Sequence, residues 1–172
     1  MPNWCENTLE LKGPLADITD IVYKLEKVDL KGPLELFVPI GEWDYEKACD
    51  TWGIKWDVQL SILKNTCLMD MDGTTTITFG FASAWGPPIE GISAWSKSYP
   101  NTEFRIAWAE IGCSQWGVSI IQDGETIEDN GGEIPSFLPD PDVTEWTDAI
   151  YDKAAEEQYE FITSALESLS FT

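Results

Sequence analysis

The chain has 172 residues, 43% of them hydrophobic, with 31 acidic side chains against 10 basic ones, no histidine and a formal net charge of −21. A chain of this length and apolarity can bury one core, so it reads as one domain or one domain with an appended element, and nine tryptophans argue against disorder. Without histidine, Ser-His-Asp and Cys-His nucleophilic machinery is excluded; the charge opposes direct binding to nucleic acid, which needs Lys and Arg to neutralise phosphates.

Thr8-Leu9-Glu10-Leu11-Lys12 alternates apolar and polar residues, which predicts a half-buried strand, placed among the inner strands of a sheet. Gly13-Pro14 breaks that pattern. Leu15, Ile18, Ile21, Val22, Leu25 and Val28 then recur at helical spacing and predict a first helix, with Lys24 and Lys27 near the end where cations suit the helix dipole. Residues 32–51 are irregular, with a helical turn or two over 44–50. Trp52-Gly53-Ile54-Lys55-Trp56-Asp57 is dense in large side chains. A strand is predicted over 58–71, bent at Lys64-Asn65; Asp72-Gly73 is a hairpin turn, and 74–82 pairs antiparallel with the strand before it.

Gly86-Pro87-Pro88 ends that strand and opens a second helix carrying Ile89, Ile92, Trp95 and Tyr99, stopped by Pro100-Asn101. Residues 102–111 form another alternating strand, with Phe104, Ile106 and Trp108 on one face. Residues 116–121 make one more strand, closed by Asp123-Gly124. A loop rich in glycine, proline and acids is predicted over 130–141, then a long helix over 143–169. On that helix Val143, Ile150, Ala154, Phe161 and Ala165 share one face, and Asp142, Glu145, Asp152, Glu156, Glu160 and Glu167 form a stripe roughly opposite. From Asp123 onward Lys153 is the only basic residue.

The order strand, helix, strand, strand, helix, strand is the split βαβ, ferredoxin-like arrangement of the α+β class. The expected architecture is an antiparallel sheet with an insertion after the first helix, an extra C-terminal strand and an appended acidic helix. Residues 1–124 would form the ferredoxin-like domain, and 125–172 an acidic loop and helix packed on or extending it.

Cys5, Cys49, Cys67 and Cys113 form no Cys-x-x-Cys pair, so buried free thiols in a reducing compartment are expected, with no metal, disulfide or cofactor. Gly80, Gly86 and Gly91 do not make a phosphate loop, and the pairs Asp70/Asp72 and Glu128/Asp129 sit at turns where acids are common. No apolar run reaches membrane-spanning length and no signal peptide is visible, which predicts a cytoplasmic protein without a membrane partner.

Five separated blocks carry a resemblance: Pro2-Asn3-Trp4-Cys5 with Asn7; Trp52 to Asp57; Phe81-Ala82-Ser83-Ala84-Trp85-Gly86-Pro87-Pro88; Ser98-Tyr99-Pro100; and Ala109-Glu110-Ile111-Gly112. In order and spacing they resemble the YubB-like or Api92-like family of phage and plasmid proteins from residue 1 to about 124. The resemblance implies a phage or mobile-element protein with a ferredoxin-like core and hands over no activity. The blocks have two readings. Trp4, Trp52, Trp56, Trp85 and Trp108 build one aromatic core, with Lys55 and Glu110 as a semi-buried pair. Alternatively, Trp52, Lys55, Trp56, Asp57, Trp85 and Glu110 line a ligand pocket.

Three functions follow. The first is a non-enzymatic inhibitor of a host defence protein, of the anti-CRISPR or anti-restriction type, whose acidic surface mimics DNA and meets a basic surface through Asp142, Glu145, Asp152, Glu156 and Glu160. Carboxylates one helical turn apart lie about 6 Å from each other, whereas duplex DNA carries a charge per about 1.7 Å, so one helix alone is too sparse a mimic. The second is an enzyme or small-ligand binder using the tryptophan-lined pocket. The third, an RNA-binding sheet with stacking aromatics, is opposed by the charge. Plain solubility also accounts for an acidic composition.

Overall fold

A computed structural model describes residues 3–63, 68–71 and 73–135, and, nearer the C-terminus, 149, 152, 153, 156, 157, 160 and 161. The elements in chain order are β1 (Trp4–Pro14), α1 (Leu15–Lys27), α2 (Pro33–Phe37), α3 (Tyr45–Trp52), β2 (Ser61–Ile62), β3 (Leu68–Met69), β4 (Thr74–Ala84), α4 (Ile89–Ser96), β5 (Glu103–Glu110), β6 (Gln115–Gln122) and β7 (Glu125–Glu133).

The alternation at the start of the chain forms the centre of the sheet. β1 pairs antiparallel with β4 along its whole length and with β5 from Cys5 to Lys12. The strands run β2-β4-β1-β5-β6-β7, with β3 also on β4. Through β5 this is the split βαβ order expected from the sequence; β6 and β7 extend it as an antiparallel meander. The protein is thus an α+β fold of ferredoxin-like topology.

Period two along β1 sends Leu9 and Leu11 to one face, where they meet Ile77 and Phe79 of β4 and Phe104 and Ile106 of β5. Ile18, Ile21 and Leu25 of α1 and Ile92 and Trp95 of α4 close the same core. Trp95 is its largest fully buried side chain; it stacks on Phe37 at 4.3 Å and meets Phe104 edge-on at 5.2 Å. On the opposite face Arg105 of β5 bridges Glu10 of β1 and Glu103 of its own strand.

The insertion after α1 is a closed excursion. Gly32 N donates to Val58 O and Leu60 N to Leu30 O, so its two ends lie side by side while α2 and α3 cover the outside of α4. Gly91 permits that contact: a Cβ there would come within 3.2 Å of the Trp52 Cα.

Two sequence expectations need correction. The strand predicted over 58–71 appears as the two-residue segments β2 and β3, with 64–67 outside the described residues. Residues 130–133, predicted as loop, complete β7, whose nine residues are all exposed. Strand pairing with β6 over Gln115–Gln122 overrides a composition of glycine, asparagine and acids that disfavours strands. The long helix predicted over 143–169 falls largely outside the described residues; those described at 149, 152, 153, 156, 157, 160 and 161 are helical.

The two core indoles differ in one respect. Trp52 Nε1 donates to Val38 O at 2.9 Å, whereas the buried Trp95 Nε1 has no partner among the described residues. Both Trp→Phe changes lose similar volume, but only the first breaks a hydrogen bond. Trp52→Phe is therefore expected to destabilise more than Trp95→Phe, by about 1 kcal/mol in urea unfolding.

Candidate functional site

Of the blocks singled out in the sequence, those around Trp4, Trp56, Trp85 and Glu110 meet at one end of the sheet, whereas Tyr99 and Pro100 lie at the other, bonded to Asp20 and Gln122. Antiparallel pairing sets Trp4 opposite Ala84, and Cys5 between Ser83 on one side and Glu110 on the other. The 52–57 block joins them through Trp56, whose ring lies 6.4 Å from that of Trp4 at an interplanar angle of 53°. Trp43 Nε1 donates to Lys55 O, which brings a further exposed aromatic beside the group.

A buried polar network holds this end in place. Asn7 lies in the buried row of β1, and its Nδ2 donates to Cys5 O at 2.8 Å, Ser83 Oγ at 2.8 Å and Phe81 O at 3.4 Å. Ser83 Oγ donates onward to Gly86 O at 2.6 Å. Between them stands Trp85, 62% exposed and held at φ 75°. Left-handed backbone costs an L residue about 1–2 kcal/mol. The conformation is fastened on both flanks, by Trp85 N donating to Asn3 O and by the Ser83–Gly86 bond. Strain of this kind in an exposed aromatic marks a candidate contact residue.

Glu110, only 2% exposed, accepts from Gly112 N at 3.1 Å and Cys113 N at 2.6 Å, closing the 3-10 turn Ile111–Cys113. By hydrogen bond and by charge it holds the Cys113 thiol above its ordinary value. Burial pushes the Cys5 thiol up to about 12, against a lowering hydrogen bond from Ser83. Of the free thiols expected to be buried, only Cys5 is so among the described residues: Cys49 is half-buried and Cys113 exposed, and Cys67 lies outside the described residues.

The six residues considered for a pocket are dispersed. Trp52 is in the core. Asp57 accepts from Leu34 N, Glu35 N and Val58 N, tying α2 to the end of the insertion; burial lifts its carboxyl above the usual range against the pull of those N–H groups. Lys55 Nζ lies over Trp56, 4.7 Å from the ring centroid, and Glu110 closes its own turn, so the suggested Lys55–Glu110 pair is not among the described ion pairs. Nor do the tryptophans build one core: Trp4 and Trp85 are exposed, Trp56 and Trp108 half-buried. Of the acidic stripe, Asp152, Glu156 and Glu160 are exposed, while Asp142 and Glu145 lie outside the described residues. Sequence reasoning gave Asn7 no role, although a polar residue in the buried phase of an alternating strand is the pattern that marks an internal hydrogen-bond hub.

The architecture defines the class: a ferredoxin-like domain with exposed tryptophans at one end of its sheet. The model for the ferredoxin-like domain in Api92-like proteins matches residues 51–137, and the chain belongs to this family. It is also similar to the crystal structure of the protein api92 from Yersinia pseudotuberculosis, at 16% identity and a TM-score of 0.41 over 58% of this chain. The match spans 38% of that protein. No curated protein matches. Among the described residues no helix is long and apolar enough to cross a membrane.

Two outcomes follow from this geometry. Trp85→Gly relieves the left-handed strain and costs some chain entropy, so thermal melting should show no loss and up to about 1 kcal/mol of gain. In alkylation with iodoacetamide, Cys5 should react only on unfolding. Cys113 should react slowly at pH 8, with a rate still rising above the range of an ordinary thiol. Glu110→Gln should speed Cys113 labelling, because removal of the anion stabilises the thiolate.

Proposed function

We propose that this protein is an acidic protein-binding module that docks on a basic partner surface. In the setting that the resemblance suggests, it is a phage or mobile-element product in the host cytoplasm. There it inhibits a nucleic-acid-binding defence protein as a DNA-like decoy. The observation that carries the reading is the exposed carboxylate surface beyond β6. β7 presents Glu125, Glu128, Asp129 and Glu133, and the helical residues Asp152, Glu156 and Glu160 are exposed as well. Phe161 meets Trp116 of β6 edge-on at 5.9 Å, so Glu160, next to it in sequence, lies near the outer part of the sheet. Two elements together supply a denser field than one helix stripe. Lys153, the lone base of this stretch, is paired with Glu157.

The polar atoms of Trp52, Asp57 and Glu110 are engaged within the fold, which favours docking over small-molecule chemistry. The partner's surface would be one that otherwise holds phosphates, since that is where cations are arrayed.

The test replaces Glu145, Asp152, Glu156 and Glu160 by glutamine or asparagine, and compares capture of basic proteins from a host lysate with the parent. At roughly 0.2–1 kcal/mol per rim charge, the variant should bind about fourfold to several-hundredfold more weakly. Duplex DNA should displace the captured protein, and moderate salt should release it. Capture that resists both salt and DNA, or that the variant retains in full, would sink the reading.

A further inference from the structure

We infer that the cavity bordered by the Trp108 indole, beside the facing glycines of β6 and β7, is the seat for an arginine side chain of the basic partner; this inference rests on the docking reading above. In register, Trp108 stands opposite Gly117, and Gly117 opposite Gly131. The Trp108 indole lies across Gly117 so closely that any Cβ there would meet Cε2, Cζ2 and Nε1 at 2.7 Å. Beyond it, Gly131 and Gly132 leave β7 without side chains for two positions. The result is a cavity of about 390 Å³ whose lining includes Trp108, Gln115, Asp129, Gly131, Gly132 and Glu133.

The chemistry of the lining selects a flat cation. Asp129 and Glu133 are two residues to either side of Gly131, so period two puts them on the face of the sheet that carries Trp108. Ser119 Oγ donates to Asp129 Oδ1 at 2.6 Å and fixes that carboxylate at the rim. Glu133 stands opposite the Gln115 amide. The described ion pairs of the chain use other carboxylates: Glu10, Asp20, Asp29, Asp70, Glu103 and Glu157. An indole face attracts cations through its quadrupole. A guanidinium adds what an ammonium lacks: it stacks flat on the ring while its edge forks onto a carboxylate.

The experiment uses the full chain, labelled with nitrogen-15, with the Trp108 indole N–H resonance assigned. The probe is a capped peptide of three arginines spaced by glycines, beside the same peptide with lysine or with citrulline, the neutral isostere of arginine. The arginine peptide should shift Trp108 saturably, the lysine peptide should bind several-fold more weakly, and citrulline should leave the resonance in place. Glu133→Gln should weaken the arginine peptide by roughly two- to fivefold, and Glu125→Gln, outside the cavity, by less. A static Trp108, or equal weakening by both variants, overturns the seat and leaves diffuse charge as the cause. If Trp108 stays static while a basic partner is still captured, the seat alone fails. If Trp108 shifts as expected but no basic partner is captured, the seat stands and the docking reading fails.

Discussion

Asn7 makes its hydrogen bonds on the central strand of the sheet, and the register of that strand and the turn that carries Trp85 depend on them. β1 is the strand between β4 and β5, so an error in its register would propagate to both neighbours. A slip of one residue would expose Cys5, Leu9 and Leu11 and bury Glu6 and Glu10 in their place. The apolar row opposes that slip, and Asn7 adds a second penalty. A buried amide torn from its acceptors costs about 1–3 kcal/mol. Its bond to Ser83 passes the constraint to Gly86 and so to the turn that carries Trp85. The alignment of the central strand and the display of an exposed indole are thereby one problem solved by one side chain.

The parts of this fold governed by periodicity could be read in the chain. β1, α1, β4, α4 and β5 each repeat apolar residues at the spacing of their element, and with the strand expected before β4 their order yields the split βαβ topology. β7 has no such repeat, because none of its nine residues is buried. It exists because β6 offers it a ladder, and a ladder is a tertiary fact. The tryptophans mark a second limit. Trp52 and Trp85 each precede a glycine, yet one is 2% exposed and the other 62%. At the first, Gly53 takes the left-handed turn and Trp52 stays helical; at the second, Trp85 itself takes it. Composition identifies the side chain without saying which residue bends. The six residues weighed as a pocket were legible as a group and not as a cavity: their blocks do converge in part, but hydrogen bonds inside the fold occupy Trp52, Asp57 and Glu110.

The two faces of the sheet handle charge differently. Helices and insertion seal one face with apolar side chains. On the other, Arg105 reaches across from β5 to Glu10 of β1 while also bonding Glu103. In a chain so rich in acids, a single guanidinium that serves two carboxylates lowers repulsion where strands are closest. Beyond β6 the sequence holds a single base, Lys153, so the carboxylates of the outer strand are largely uncompensated and draw cations toward that edge.

β7 has a consequence for how the molecule behaves in a crowd of its own copies. Among the described residues it has β6 on one side and no strand on the other, and it is nine residues long, a template on which another chain could add. Two such edges meeting would bring Glu125, Glu128, Asp129 and Glu133 of each copy into one narrow ribbon. Mutual repulsion then guards a backbone that geometry leaves open. The carboxylates of β7 thus oppose fibrous self-association along an edge whose backbone would otherwise permit it.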